Sequence, residues 1–158
     1  MTSENLSKSE KQYLDLFLEI SNKLGFNCLL GGSIALKLQG IISRECLDLD
    51  IVIPREVDPN INGLMTNNND KVSIYPPGQF DTVGTIGSRL TGQTGCVFCR
   101  DNIDDYKLIS YGGYTLKVDR PEHILEAKEA YVKSSGLSKD KHERDIKKIK
   151  MKLYIDAI

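Results

Sequence analysis

The sequence has no long apolar segment. None of its apolar runs approaches the roughly 20 residues that a membrane-spanning helix needs, and the polar N-terminal stretch MTSENLSKSEKQ lacks the apolar core of a signal peptide. We therefore expect no membrane association, no export and a cytoplasmic location. With 158 residues, of which 40% are hydrophobic and 27% charged, residues 1–158 are predicted to form one globular domain.

The chain also has almost no net charge. A formal charge of −1 gives no global attraction to nucleic acid or to acidic membranes, so any site for a polyanion has to be local. Basic residues are concentrated near the C-terminus, at Lys139, Lys141, Arg144, Lys147, Lys148, Lys150 and Lys152. Two interpretations of this run stay open: the solvated side of an amphipathic helix, or a contact with nucleic acid or a triphosphate.

Side chains that bind soft metals are few. Only Cys96 and Cys99 have C-x-x-C spacing, and a zinc site needs a second pair of ligands and a turn between the two cysteines. The segment Gly95–Arg100 instead predicts a strand that sends the two thiols to opposite faces, so ordinary reduced thiols are expected. His123 and His142 are the only histidines, and both are expected on helix surfaces without a catalytic role.

What the sequence does contain is a strand, a tight turn and a helix start at the beginning of LLGGSIALKLQGIISRECLDLDIVIP, from Leu29 to Pro54. Two leucines run into two glycines and Ser33, a residue type that caps helices well. Ser33 is therefore the predicted N-cap of a short helix that Gly40 ends. Backbone N–H groups in such a turn are well placed to bind phosphate.

Two aspartates follow on the next predicted strand. In Leu47–Ile53, apolar and acidic residues alternate before the run becomes wholly apolar, so Asp48 and Asp50 should point to the same face of a central strand. Two unpaired carboxylates there would be costly, whereas together they can coordinate a divalent metal such as Mg²⁺. The alternative is a solvated strand edge. Phosphoryl or nucleotidyl transfer needs a metal ion next to a phosphate-binding site.

The rest of the chain predicts an α+β (α/β) fold with a mixed central sheet flanked by helices. Helices are predicted at residues 10–24, 119–132 and 139–155, and strands at 26–30, 71–75, 96–100, 106–110 and 114–118. Residues 55–70, which include the run Asn67–Asp70, predict a loop with at most one short helix. For residues 80–95, rich in threonine and glycine, hairpin strands and a mobile flap both remain open.

With these residues in place, the chain resembles the DNA polymerase β-like nucleotidyltransferase superfamily. The resemblance rests on Gly31–Leu36, Arg44 and Asp48–Ile51, and it is strongest to small bacterial branches: the abortive-infection type IV toxin nucleotidyltransferases and the aminoglycoside or lincosamide nucleotidyltransferases. Thr115–Lys128 also resembles their closing strand and the helix that carries a lysine. Together these segments cover much of the chain.

The resemblance implies a nucleotidyltransferase fold, an NTP donor with ATP as the default, and Mg²⁺ as cofactor. It implies that two Mg²⁺ ions are held by Asp48 and Asp50. Phosphate binding would fall to the turn and one arginine, namely Gly31, Gly32, Ser33 and Arg44.

The resemblance further implies a third carboxylate on a later central strand. The matching segment, Cys96–Asp101, has no acid in its middle, but Asp101 lies at its end on the same face as Cys99. Asp101 is therefore the predicted third catalytic residue. Poorer candidates are Asp81, Asp104 and Asp105.

Two functions stay open from the sequence. The first is Mg²⁺-dependent transfer of a nucleoside monophosphate from an NTP to a hydroxyl of a small molecule, RNA or protein. The second is a catalytically inactive protein of this fold that binds nucleotide as a sensor or forms one half of a toxin–antitoxin pair. The acceptor is not defined by the sequence, and a homodimer that completes the site, a toxin–antitoxin partner and nucleic-acid binding are all left open.

Overall fold

The fold is built on one mixed sheet of seven strands. The structure, a computed structural model, describes residues 5–57, 65–75, 80–87, 94–135 and 140–158, and it describes side chains outside residues 58–94 and 134–139. The strands are β1 (Leu29–Gly31), β2 (Leu49–Pro54), β3 (Met65–Tyr75), β4 (Phe80–Gly87), β5 (Thr94–Arg100), β6 (Tyr106–Tyr111) and β7 (Tyr114–Asp119).

The short strand β1 and the longer β2 lie inside the sheet. The spatial order is β3-β4-β5-β2-β1-β7-β6, so each of these two strands is bonded on both sides. β2 runs parallel to β5 and β1 runs parallel to β7, while the other neighbours are antiparallel. The predicted mixed sheet and the α+β class are confirmed.

In the described ranges, four helices accompany the sheet: α1 (Lys8–Lys23), α2 (Gly32–Leu38), α3 (Pro121–Ser135) and α4 (Asp140–Ala157). α1 shows the predicted amphipathic pattern, because Leu14, Phe17 and Ile20 are buried on one side. Gly25 follows its end as predicted, and Phe26 N–H bonds back to the carbonyl of Ser21 at 2.7 Å. None of the helices in the described ranges is both long and apolar enough to cross a membrane.

The two faces of the central strands differ in chemistry. Leu30, Ile51 and Val97 belong to the hydrophobic core that the helices cover. Since side chains alternate along a strand, Asp50 and its strand neighbour Cys96 face the other side. The predicted central position of the acidic strand therefore places one of its aspartates on a sheet face outside the main core.

The chain between β2 and β5 differs from one prediction. The predicted loop at 55–70 is wrong for its last part, because Asn67–Asp70 lies within β3. Asn67 and Asn68 pair with Thr85 and Gly84 of β4 before a shift of register that ends at Val72, although the residues of this run favour turns. At Phe80–Gly87, hairpin strands form rather than a flap; residues 58–64, 76–79 and 88–93 lie outside the described ranges.

The predictions for the second half of the chain are largely confirmed. β6 and β7 form an antiparallel pair joined at Gly112-Gly113, and α3 and α4 follow within a few residues of the predicted bounds. Asp119, where the third of these helices was predicted to begin, ends β7 instead, and its carboxylate pairs with Arg100, so α3 begins at Pro121.

Candidate active site

The turn between β1 and α2 is packed against the acidic strand. Gly31 pairs with Asp50 across the antiparallel β1–β2 ladder. Gly32 has φ +60°, and a Cβ added there would lie 2.0 Å from Asp50 Oδ2. Only glycine fits both the left-handed backbone and this close approach. The turn and the carboxylate, which the sequence predicted as two neighbouring sites, are in contact.

The structure corrects the capping prediction for α2. Gly31, with φ −116° and ψ −167°, occupies the N-cap position and makes no side-chain cap. Ser33 lies in the first turn, where its Oγ accepts a hydrogen bond from Arg44 Nη2 at 2.8 Å. The serine that the sequence assigned to the cap therefore connects the turn to Arg44.

Asp48 and Asp50 influence each other electrostatically. Asp48 is exposed immediately before β2, whereas Asp50 is half-buried beneath the turn. Burial, and secondarily the charge of Asp48, raise the pKa of Asp50 to about 7, although Lys128 and Lys141 act in the opposite direction. The pair therefore has an excess of negative charge that a proton or a cation can neutralise.

A network of charged side chains lies behind the turn. Arg44 donates to both carboxylate oxygens of Asp145, through Nε at 3.3 Å and Nη2 at 2.6 Å. Lys128 Nζ lies 3.1 Å from Asp145 Oδ2, and Asp145 is only 2% exposed. Although burial opposes it, hydrogen bonding from Arg44 and the charge of Lys128 hold the pKa of Asp145 below its ordinary value. This ion network joins α3 and α4 to the turn.

His142 completes the network. Its Nδ1 lies 3.2 Å from Lys128 Nζ, and its ring packs edge-on against Tyr131. Because an ammonium group has no lone pair, Nδ1 has to accept this hydrogen bond, which puts the ring proton on Nε2. The predicted surface position of His142 is thus only partly right.

The structure does not bring Asp101 to the aspartate pair. Asp50 is in register with Cys96, and Asp101 lies five residues further along the chain, about 16 Å by strand geometry. Its carboxylate is 71% exposed and accepts a hydrogen bond from Arg55 Nε at 2.7 Å. The structure therefore places the predicted third carboxylate, Asp101, away from the aspartate pair, because the parallel register leaves the end of β5 at the far end of β2.

The poorer candidates lie away from the pair as well. Asp104 lines a cavity of about 370 Å³ at the far end of the strands, together with Asp101 and Pro54. Asp105 pairs with Arg120 and His123 on the surface. The backbone of Asp81 pairs with Cys99, three residues beyond the level of Asp50.

Cys96 lies beside Asp50 on β5, the strand on which a third carboxylate was expected. Burial, followed by the charges of Asp50 and Asp48, raises the pKa of the Cys96 thiol, so the thiol stays protonated. Among the residues whose side chains are described, no three His, Cys, Asp or Glu groups are arranged to hold a metal ion. A metal at the pair would take its other ligands from water and substrate, as Mg²⁺ does in nucleotide sites.

The sequence interpretation missed three residues of this site as separate candidates: Lys128, Lys141 and Asp145. Lys128 carried a signal, since it is the lysine at the end of the segment Thr115–Lys128 that resembles the family. The signal at Asp145 was weaker. Asp145 lies four residues before Ile149, so its carboxylate falls on the apolar stripe of α4. Lys141 had no signal beyond its membership of the basic run.

Comparison with solved structures identifies the fold. A Thermotoga maritima protein, provisionally described as a nucleotidyltransferase, matches with a TM-score of 0.59 and 16% identity over 94% of this chain and 95% of that chain. The antibiotic-resistance factor ANT(2'')-Ia matches with a TM-score of 0.59 and 12% identity, over 94% of this chain and 86% of that chain. An antigenic nucleotidyltransferase-like protein of Paracoccidioides brasiliensis matches with a TM-score of 0.51 and 18% identity, over 91% of this chain and 77% of that chain.

This chain therefore has the nucleotidyltransferase fold. No protein-family model matches the sequence, and no curated protein matches it either. At identities below a fifth, the likeness concerns the arrangement of strands and helices, and the chemistry of the site has to be argued from its own residues.

Proposed function

We propose that this protein is a nucleotidyltransferase, which moves a nucleoside monophosphate from an NTP to a hydroxyl group of an acceptor. The observation that carries the proposal is the packing of Asp50 against Gly32, in which the carboxylate fills the space of a missing Cβ. The turn proposed to bind phosphate and the pair proposed to bind metal therefore meet at one point. Nucleotidyl transfer requires this proximity, because the metal has to bind the phosphates themselves.

Mg²⁺ fits the aspartate pair. Magnesium prefers a few carboxylate oxygens and fills its remaining positions with water and phosphate oxygens. Asp48 and Asp50 supply such oxygens, and the raised pKa of Asp50 reflects a site that favours additional positive charge. When bound, the metal would orient the acceptor oxygen and offset the charge of the leaving pyrophosphate.

The residues of the turn would hold the triphosphate. We assign this role to Gly31, Gly32, Ser33 and Arg44. In the reaction, the acceptor hydroxyl gives up its proton to solvent and its oxygen attacks the α-phosphorus. The bond from that phosphorus to the bridging oxygen of the β-phosphate breaks, and pyrophosphate leaves. Arg44 is already fixed by Asp145 and Ser33, so little side-chain entropy would be lost on binding.

The alternative is a nucleotide-binding protein that does not catalyse transfer. The observation that favours it is that β5, the strand on which a third carboxylate was expected, places the protonated thiol of Cys96 beside Asp50. A thiol with a raised pKa is a poor base for removing the acceptor proton. On this alternative, the protein serves as a sensor or as part of a toxin–antitoxin pair.

Incubation with each of the four α-labelled NTPs, Mg²⁺ and a panel of RNA, protein and small-molecule acceptors tests the proposal. We expect label to be transferred and pyrophosphate to be released, with ATP as the first donor to examine. Asp48→Asn and Asp50→Asn should abolish both, while Asp104→Asn, which changes an exposed carboxylate at the far end, should not. Equal labelling by wild type and the Asp50 variant would rule the proposal out.

The alternative has a separate test at Cys96. If wild type binds NTP but releases no pyrophosphate, Cys96→Asp would place a third carboxylate in register with Asp50. We then expect release of pyrophosphate to begin, whereas the uncharged Cys96→Asn variant of similar size should stay inactive. Pyrophosphate release by wild type alone would exclude the alternative.

The partners of the site are proposed as well. We propose that a second copy of the chain or a toxin–antitoxin partner supplies part of the acceptor pocket. Light scattering on the purified protein, with and without NTP, measures the mass directly. A monomer that transfers nucleotide at full rate would contradict this part of the proposal.

A further inference from the structure

Asp145 is an acidic residue on the basic helix α4, and its side chain is turned inward. It is 2% exposed, and its neighbours along the helix include Arg144, Lys147 and Lys148. A buried carboxylate is stable only when its oxygens are well bonded. Here both oxygens are bonded to cations that come from other parts of the chain.

The bonds of Asp145 fix two cations at once. Oδ1 accepts from Arg44 Nε, and Oδ2 accepts from Arg44 Nη2 and lies 3.1 Å from Lys128 Nζ. The fork of Arg44 is thereby held in one orientation, and Nη2 also reaches Ser33 Oγ. Among the described residues, the polar partners of Asp145 are these two cations, so we argue its effect on the site through them.

Both cations lie close to the candidate nucleotide site. Arg44 donates to Ser33 in the first turn of α2, and Lys128 Nζ lies 3.1 Å from the same Asp145 oxygen that accepts from Arg44 Nη2 at 2.6 Å. In the described side chains, Asp145 and His142 take two of the three N–H groups of Lys128. One N–H of the ammonium group is left for a ligand.

The charges at the site also balance in a way that suits a nucleotide. Arg44, Lys128 and Lys141 offset the carboxylates of Asp48, Asp50 and Asp145. Bound metal would then leave a positive excess, which the polyphosphate of an NTP can neutralise. Without Asp145, the two cations would repel each other and lose their common anchor.

We propose that Asp145 is a positioning residue for the triphosphate: it holds Arg44 and Lys128 in the orientation in which both bind the polyphosphate of an NTP. The inference rests on the proposed nucleotide site but not on transfer, and it assigns to α4 a role in substrate affinity. A nucleoside monophosphate, which lacks the β- and γ-phosphates, depends on these cations less.

Equilibrium titration of the full chain with ATP and with AMP, each with Mg²⁺, tests the inference without a catalytic readout. For Asp145→Asn, which keeps the shape but loses the charge, we expect the Kd for ATP to rise tenfold or more and the Kd for AMP to change less than threefold. Asp145→Glu should restore part of the affinity for ATP. Glu129→Gln, which removes a surface partner of Lys150, is the matched control and should leave both constants unchanged.

Thermal unfolding of each variant separates positioning from a merely structural role. If Asp145→Asn lowers the melting temperature but the folded protein binds ATP as wild type does, the inference is wrong. If this variant does not fold, Arg44→Lys keeps the charge at residue 44 and loses the fork to Asp145 and Ser33. It should show the same selective loss for ATP, and unchanged binding would overturn the inference.

The outcome is independent of the proposed activity. Absence of saturable ATP binding by wild type would overturn this inference directly. Binding without pyrophosphate release would leave it standing and would instead contradict the transferase proposal. In a variant that lacks both cations, Arg44→Ala with Lys128→Ala, adding Asp145→Asn should cause no further loss of affinity, because a positioning residue has nothing left to position.

Discussion

Gly32 is constrained in two independent ways. Its φ of +60° is costly for any residue with a side chain, and a Cβ would overlap Asp50 Oδ2. The spacing of glycine and aspartate in the sequence suggested that they belong to one site. The contact between them is visible only in the tertiary structure, because it depends on the antiparallel register that pairs Gly31 with Asp50.

Gly32→Ala should therefore destabilise the protein by about 2 to 4 kcal/mol, from backbone strain together with displacement of Asp50. Urea unfolding measures the change. The control is Gly40→Ala, where φ is +74° but no atom lies within 4 Å of the added Cβ. In that variant the free energy of unfolding should fall by only about 1 kcal/mol.

A double variant isolates the overlap. Asp50→Ala removes the oxygen that the new methyl group would overlap. Gly32→Ala should therefore lower the free energy of unfolding less in the Asp50→Ala protein than in wild type. Equal costs in both backgrounds would mean that the contact between Gly32 and Asp50 does not constrain the turn.

Asp50 is expected to reduce the stability of the metal-free protein. Its folded pKa of about 7 lies above the ordinary aspartate value of 3.8, so between these values the folded state binds more protons than the unfolded state. Stability therefore falls as pH rises from about 4 to 7, and the loss is complete above that range. Asp50→Asn, measured in EDTA, should raise the free energy of unfolding at pH 8 by about 2 kcal/mol or more.

The same comparison at pH 4 provides the control. There Asp50 is protonated in the folded protein, so the variant and wild type should differ far less. A variant that is less stable than wild type at pH 8 would contradict the electrostatic argument. Mg²⁺ should stabilise wild type and leave the variant nearly unchanged.

At the scale of elements, α1 holds the segment that leads into the aspartate pair. Glu10 is fully buried and accepts hydrogen bonds from Lys37 Nζ on α2 and from the backbone N–H of Cys46, each at 2.8 Å. Tyr13 OH donates to the carbonyl of Leu47, the residue before Asp48. One helix thus fixes α2 relative to the start of β2, and with it the geometry of the site.

Glu10→Gln should accordingly destabilise the protein by about 3 kcal/mol at pH 7, because it leaves Lys37 buried without a counter-charge. Burial alone would raise the pKa of Glu10, but bonds from Lys37, Ser7 and Cys46 lower it from 4.5 to about 2. Its contribution is present above pH 4.5 and is lost as pH falls toward 2. Acid unfolding followed by circular dichroism should show a weaker pH dependence in the variant.

The control lies on the same helix. Glu19 pairs with Lys23 on the surface of α1, with both side chains at least 41% exposed. Glu19→Gln should change stability by less than about 0.5 kcal/mol, as expected for an exposed pair. Similar losses in the two variants would show that the buried pair has no special role.

Local pattern predicted most elements and failed where pairing with another strand decided the outcome. The amphipathic spacing of α1 and the Gly112-Gly113 turn carry enough local information to be recognised. Asn67–Asp70 does not, since its residues favour turns, yet the run lies within β3, and its first two residues pair with β4. Strand formation there depends on a partner that the local sequence does not reveal.

At the scale of the whole molecule, residues distant in sequence make one site. Arg44 and Asp145 are separated by 101 residues, and the turn, the acidic strand, α3 and α4 each supply a charged or polar group. A ligand that joins these elements should stabilise the fold as a unit.

Mg²⁺ with ATP at about 100 times the Kd should raise the free energy of unfolding by about 2.7 kcal/mol, and the melting temperature by about 5 to 10 °C. Differential scanning fluorimetry measures this shift. Asp48→Asn should lose most of it, while Asp104→Asn should keep it. An unshifted wild type would contradict nucleotide binding at this site.

The sequence by itself determined the strand, turn and helix at Leu29–Pro54, the aspartate pair and the class of fold, because these depend on local spacing and on alternation along a strand. The tertiary structure decided which other residues join them. The parallel register of β5 put Cys96 beside Asp50 and left Asp101 paired with Arg55 at the far end. The docking of α4 brought Asp145 to Arg44, since long-range packing follows from the sheet order and not from local pattern.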